Sequence, residues 1–548
     1  MSTTSPDRVG DIAGVARNLG LPTAAVLPYG HDKAKIDLGR LGPLARRGRL
    51  VLVTGMTPTA AGEGKTTTAI GLADGLVRRG QRAIAVLREP SLGPCFGQKG
   101  GGTGFGRARL IPTADINLHF TGDFHAVTSA HNLLAALVDN HLHHGRAPTL
   151  DPARVTWRRV LDVNDRALRS IELGRGKPNG PVRDGGFDIT AASEVMAILA
   201  LAADRDDLRA RLARIVVGRS PDGEPVTAGQ LGGIGAMMAL LRDALHPNLV
   251  QTVEGTPALI HAGPFANIAH GASSVVAAKL GLGLADWAIT ECGFGFDLGG
   301  EKFFDIVGPA SGLAPAVVVI VATTKALKLH GGRAADRLGE RDPEAVAAGL
   351  PNLARHLDNI ALFGRPAVVA LNQFPGDHAD EHEVVRQFCA ARGTPFAIQD
   401  SAAHGGASAE GLAEQVMAAA LAEPTPATPL YAVDDPLAGK IEAIATKVYR
   451  ARKVVFTDAA NVAIAGLERD GFARLSVCMA KTQSSFSDDP TKLNAPTDFD
   501  LTVRDLELAA GAGFVVALTG AMMRMPGLPR EPRAFAIDLV GDDIVGVG

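Results

Sequence analysis

Cysteine is scarce in this chain of 548 residues: Cys95, Cys292, Cys389 and Cys478 lie far apart and form no CxxC pair. That argues against a disulfide framework or a zinc site, and reads the four as small buried hydrophobes. Charge of one sign is missing too. The 55 basic and 58 acidic residues leave a formal −3, with no basic arm or stripe of the kind that tracks nucleic acid. The longest notable apolar run, 313–322, contains Pro315 and is too short to span a bilayer. The opening MSTTSPDRVGDIAG has neither the basic start nor the apolar centre of a signal peptide. No repeat of fixed period is evident. What remains is a cytoplasmic soluble enzyme or nucleotide hydrolase, with neither nucleic acid nor membrane as partner.

What is present points the same way. A hydrophobic share of 46% allows substantial cores, and the length fits about three or four domains. The 64 glycines are about 12% of the chain against a usual ~7%. They suit an α/β protein with many tight strand–helix turns.

The stretch 49–94 organises the rest. Residues 50–54 form a short apolar run, read as a buried parallel strand. TAAGEGKT, comprising Thr59, Ala60, Ala61, Gly62, Glu63, Gly64, Lys65 and Thr66, then turns the chain. Ile70, Ala73, Leu76 and Val77 share one helical face before Arg78, Arg79 and Gly80, a basic last turn with a glycine stop. Residues 83–87 read as the next strand and deliver Arg88 and Glu89 at its carboxyl end. The whole is a βαβ unit with a phosphate loop. Gly62 and Gly64 let successive amides point at phosphate oxygens, and the helix adds its positive end. Lys65 would hold the outer phosphates and the Thr66 hydroxyl would ligate Mg²⁺. Thr59 stands where such loops usually open with glycine.

Elsewhere, Lys33 and Lys35 lie near enough in sequence to reach an anion, and the glycine run 95–106 is either slack or a close backbone approach to a ligand. Residues 126–142 have helical spacing, which places Asp123 and His125 at a helix entry where charge can face a ligand. His141, His143 and His144 read as a solvated helix end, because positions two apart on a helix do not share a face. Residues 150–250 look largely helical. A buried strand at 367–371 releases Asn372, Gln373 and Phe374 at its carboxyl end, the edge where open α/β sheets place ligands. EPTPATP (423–429) has linker-like composition, and 514–519 reads as a further strand.

Seven strings in order carry a resemblance: TAAGEGKTTT (59–68), REPSLGP (88–94), DINLHFTGD (115–123), GPFANIAHG (263–271), LGGEKFFDI (298–306), VCMAKTQ (477–483) and MPGLP (525–529). Over essentially its whole length the chain resembles formate–tetrahydrofolate ligase, also called formyltetrahydrofolate synthetase. The resemblance implies that ATP phosphorylates formate to formyl phosphate, and that the amine of tetrahydrofolate then attacks to give 10-formyltetrahydrofolate, ADP and phosphate. It implies nucleotide and Mg²⁺ roles for Lys65 and Thr66, a formyl-phosphate grip for Arg88, and Phe294 and Phe374 flanking the folate. It also implies a homotetramer activated by a monovalent cation, K⁺ or NH₄⁺. The chain departs from the family around the folate. Ala402 stands where the family has a stacking tryptophan, Gln373 replaces an arginine, and Ser484 replaces a tyrosine. Arg107 and Arg109 are unusual, and Ala521 replaces an aspartate. A family offshoot that delivers formyl phosphate, or a related acyl phosphate, to a different amine acceptor is the alternative expectation, and a nucleotide-binding regulator without turnover the third.

The expected architecture is α/β. A large P-loop domain (1–363) with a mostly parallel sheet precedes two smaller α/β domains, 364–470 contributing to the folate pocket and 471–548. The site is expected in the cleft between them, at carboxyl ends of strands.

Overall fold

The computed structural model describes residues 10–42, 44–45, 48–59, 62–97, 101–520 and 522–547. Its centre is a twelve-stranded sheet. In chain order the strands are β1 (Val26–Pro28), β2 (Ala34–Ile36), β3 (Arg49–Gly55), β4 (Ala83–Leu87), β5 (Gly104–Phe105), β6 (Ala108–Ile111), β7 (Asn248–Thr252), β8 (Pro257–Ile260), β9 (Trp287–Gly295), β10 (Pro315–Ala322), β11 (Ala367–Asn372) and β12 (Phe396–Gln399). Their spatial order is β1-β2-β7-β8-β4-β9-β3-β10-β11-β12, with β6 pairing both β7 and β5. From β8 to β12 every neighbouring pair is parallel, whereas β1, β2, β5, β6 and β7 form an antiparallel margin.

The apolar runs explain the parallel centre. Every residue of β10, PAVVVIVA, is buried, as a strand covered on both faces requires. The main core includes Leu50 and Leu52 of β3, and a second includes Val51 and Val53. Because side chains alternate along a strand, these are the two faces of one sheet. The helix that follows the loop, α1 (Lys65–Arg78), is buried from Thr67 to Leu76. A longer helix, α2 (Asp123–His143), starts beside the antiparallel margin, where Asp123 meets Lys35 of β2 and Asn248 of β7. His143 and His144 are exposed at its end, but His141 turns inward and its Nε2 lies 2.7 Å from the Pro148 carbonyl oxygen.

Between β6 and β7 the chain departs from the helical expectation for 150–250. Short strands pair at 159–161 with 187–189, at 171–173 with 183–185, and at 216–219 with 225–227. α-Helices are confined to Glu194–Leu201, α3 (Arg205–Arg214), Ala228–Leu231 and Ile234–Leu240, with only short 3-10 turns elsewhere. The physical reason is local: Gly174, Gly176 and Gly180 adopt positive φ, and Pro178 and Pro181 stand beside them. No helix propagates through such a stretch.

A further body follows 423–429, which carries no helix or strand. Lys453–Phe456 pairs in parallel with Asp500–Val503, and Ser476–Ala480, Phe514–Leu518 and Asp505–Ala509 form a three-stranded sheet. Ile441, Ile444, Tyr449, Phe486 and Leu501 lie in its core. Strand pairing therefore crosses both expected boundaries. The 363/364 cut separates β10 from β11, which are hydrogen-bonded neighbours, and the 470/471 cut separates 453–456 from its partner 500–503.

One buried ion pair ties the two bodies together. Lys481 Nζ lies 2.7 Å from Asp297 Oδ2, with exposures of 0% and 1%. Removing one partner of such a pair strands a charge, whereas removing both does not. Lys481→Met is expected to lower stability by about 3–5 kcal/mol. Adding Asp297→Leu should recover most of that loss in urea-denaturation midpoints, and a double variant no more stable than the single one would contradict the pairing.

Candidate active site

All parallel strands bring their carboxyl ends to one edge of the sheet, and β3 stands among them. The loop leaves β3 at Gly55 and closes with Gly62 and Gly64 at φ +79° and +74° before α1 begins at Lys65. A Cβ on Gly64 would sit 2.4 Å from Asn372 Nδ2, so glycine is required there by both conformation and space. That amide, at the end of β11, donates to the Glu63 carbonyl at 3.0 Å. Gln399, at the end of β12, donates its amide to Asn372 Oδ1 at 2.8 Å and to Thr68 Oγ1 at 2.9 Å. The ends of two neighbouring strands thus grip the turn from outside.

The start of the loop is held from the other side. Asn352, on α4 (Pro343–Leu362), donates to Thr57 Oγ1 at 2.9 Å, and His356 Nε2 lies 3.0 Å from the same oxygen. Burial pushes His356 down to about 4, so the ring that braces the loop is neutral. Within the loop, Glu63 Oε1 accepts the Thr59 amide at 2.6 Å, and its Oε2 lies 4.0 Å from Lys65 Nζ. The Lys65 stem lies over Gly55, where an added Cβ would meet its Cδ at 3.3 Å. Ala60 and Ala61 lie outside the described residues, as does Ala521.

A carboxylate not singled out from the sequence joins the predicted residues. Glu291, on β9 between β3 and β4, is buried. Its Oε2 accepts the Thr66 hydroxyl at 2.9 Å, and its Oε1 lies 3.6 Å from Arg88 Nη2. Thr66 and Arg88 leave the strands on either side, so one acid at their shared neighbour holds both. The signal in the sequence was a carboxylate ending the apolar run WAIT (287–290). The remainder of Arg88 is lightly committed. Nη1 reaches the Pro264 carbonyl at 3.5 Å, and Nε is buried without a hydrogen-bond partner. Nearby His270 is pushed down to about 3 by burial and by the positive charges of Arg88 and Lys302, so it adds no charge. Cys292, next to Glu291, is pushed up to about 11 by burial, which removes it as a nucleophile.

Phe294 and Phe374 take places on either side of the loop strand. Phe294 occupies the irregular end of β9, where the register shifts between Glu291 and Gly295, and has φ +61°, a strained conformation for an aromatic residue. Phe374 follows β11 and lies under Lys325, whose Nζ is 4.9 Å from the ring centroid. Ala402 follows β12 and is half-buried. Its carbonyl accepts the Arg107 amide at 2.8 Å, so the 106–109 turn and position 402 are in contact.

The lysines expected near an anion are committed to the protein's own carboxylates. Lys33 pairs with Asp115. Lys35 is fully buried, 2.7 Å from Asp123 Oδ1, and also donates to the His246 carbonyl at 3.0 Å. Asp123 accepts from Asn248 as well, while His125, two residues on, is exposed. Beside them, burial and then the Asp123 charge hold Glu89 well above the ordinary carboxylate range.

Comparison with known proteins agrees over the whole length. The family model described as formate–tetrahydrofolate ligase matches residues 2–548. The formate–tetrahydrofolate ligase of Paracoccus denitrificans is 55% identical over 97% of this chain and 96% of its own. Those of Hyphomonas neptunium and Maricaulis maris are 53% and 52% identical, each over 96% of both chains.

The two loop glycines separate conformation from space. Nothing lies within 4 Å of a Cβ on Gly62, so Gly62→Ala should cost only the backbone term of about 1–2 kcal/mol. Gly64→Ala adds the Asn372 collision. Calorimetry with MgATP should show the larger loss of affinity for Gly64→Ala, and equal losses would contradict the strand-end grip.

Proposed function

The chain belongs to the formate–tetrahydrofolate ligase family, and from that premise we propose that it joins formate to tetrahydrofolate through formyl phosphate, consuming ATP and releasing ADP and phosphate. The observation that carries this reading is the convergence of Thr66 and Arg88 on Glu291. It gathers a loop hydroxyl and a strand-end guanidinium around one carboxylate, and phosphoryl transfer is catalysed mainly by such positioning and charge stabilisation.

Formate is a poor electrophile because its two oxygens share one charge. In the proposed first step a formate oxygen attacks the terminal phosphorus of ATP and the bond to ADP breaks, leaving formyl phosphate. Amides of the 62–66 turn and the positive end of α1 hold the phosphates, and Lys65 neutralises charge that moves toward the departing ADP. Arg88 pairs two oxygens of the transferred group and keeps its charge throughout. Mg²⁺ fits the oxygen-only pair of Thr66 and Glu291, a donor set suited to a hard cation that keeps most of its waters; when bound it supplies further charge neutralisation. In the second step the folate amine attacks the formyl carbon, phosphate leaves with the bonding electrons, and the amine gives up its proton.

Phe294 and Phe374 are assigned to the flanks of the folate. With Ala402 in place of a stacking ring, the acceptor is held by fewer aromatic contacts. The proposal carries the family's homotetrameric assembly, its activation by K⁺ or NH₄⁺ and a cytoplasmic setting.

ADP release that depends on formate, with methenyl absorbance on acidification after tetrahydrofolate is added, tests the reaction. Lys65→Ala should lower turnover by about 10²–10³-fold, and unchanged activity would remove the loop from the chemistry. Arg88→Lys keeps the charge but loses the paired geometry, so kcat should drop by about 10²-fold with little change in the KM for ATP. Ala402→Trp should lower the folate KM by roughly two- to tenfold, and a KM that does not fall would count against the stacking assignment.

A further inference from the structure

A separate cavity of about 530 Å³ opens where the two bodies meet. One wall is the last turn of α3 and Val216, another the helical stretch 306–310, and the third the C-terminal segments 472–476 and 510–513. Its size lies within the range of small-molecule sites. Its lining is apolar over Ile306, Pro309, Phe472 and Leu475, and none of the residues assigned to ATP, formate or folate takes part.

The rim carries two arginines in unlike states. Arg211 is held: Nε donates to Asp207 Oδ2 at 2.9 Å and Nη1 to the Ala512 carbonyl at 3.0 Å. Arg214, one turn further on, is exposed and has no carboxylate within 4 Å among the described residues. Asp207, whose carboxylate feels the Arg214 charge, is already paired with Arg211. The wall opposite is stiffened from behind, where Glu194 Oε1 accepts the amides of Gly511 and Ala512 at 2.7 and 3.3 Å. The result is a preformed apolar chamber with one uncommitted guanidinium at its mouth.

We propose that this cavity binds a small molecule with an apolar aromatic or branched body and a single carboxylate, the body against Phe472 and Ile306 and the carboxylate on Arg214. Burial of the body supplies attraction without direction, and the fork of Arg214 selects the charged end. The site is independent of the proposed reaction.

Calorimetry on the full chain with 4-phenylbutanoate and its uncharged amide tests this. The acid is expected to bind once per chain and about tenfold or more tighter than the amide. Arg214→Gln should erase that preference while leaving amide binding unchanged. Ala310→Trp, at the exposed edge of the chamber, should abolish both, and Lys65→Ala should affect neither. Absence of saturable binding by the acid, a preference that survives Arg214→Gln, or binding that survives Ala310→Trp would each overturn the assignment.

Discussion

The arrangement depends on one buried carboxylate. Glu291 stands midway along β9, where its register with β3 shifts, and accepts the Thr66 hydroxyl on one side while facing the Arg88 guanidinium on the other. A carboxylate this deep in a sheet is costly unless it is paired. Here its partners are the groups assigned to donor and acceptor of a phosphoryl transfer, so the need to satisfy Glu291 also sets their separation. The order β4-β9-β3 makes this possible, since the two functional ends leave the strands that flank the acid.

The same edge of the sheet stiffens the loop. Asn372 and Gln399 close a chain of side-chain amides from β11 and β12 to the turn at Gly64, while Asn352 and His356 hold Thr57. Amides aimed at phosphate in advance need little reorganisation when charge shifts. That demand also explains why β11 and β12 belong to the large sheet: their carboxyl ends are parts of the loop's support, and a domain boundary between β10 and β11 would loosen it.

Much of this was legible in the residues, and the reasons differ from place to place. The strand ending at Gly55, the helix from Lys65 and the strand ending at Leu87 were readable because apolar runs, glycines and a basic last turn are local signals. Arg88 was readable from its place after a strand. Glu291 was not, because its role rests on β9 inserting between β3 and β4, a pairing across more than two hundred residues that no local pattern announces. Lys35 misled for the opposite reason: its nearness in sequence to the loop said nothing about Asp123, 88 positions away, which holds it in the interior. The helical expectation for 150–250 failed because its charge alternation is real only in α3, while positive-φ glycines govern the part before it. The expected cuts at 363/364 and 470/471 fall between paired strands, because β-pairing joins strands regardless of what lies between them.

The residues proposed to depart from the family near the folate share one place. Ala402 touches the 106–109 turn through its carbonyl, so position 402 and the arginines at 107 and 109 lie on one surface. The phosphate loop and the Glu291 junction are built from other elements. Under the proposed reaction, the acceptor side could therefore change without disturbing the elements assigned to activation.

The central claim, that one carboxylate sets both the loop hydroxyl and the strand-end guanidinium, is tested most directly by Glu291→Gln, followed through formate-dependent ADP release as Mg²⁺ is varied. The amide keeps the shape and removes the charge. The account predicts a fall in maximal rate of about 10²-fold together with a higher Mg²⁺ requirement, because both partners lose their common anchor. A variant with the parent's rate and the parent's Mg²⁺ dependence would contradict it.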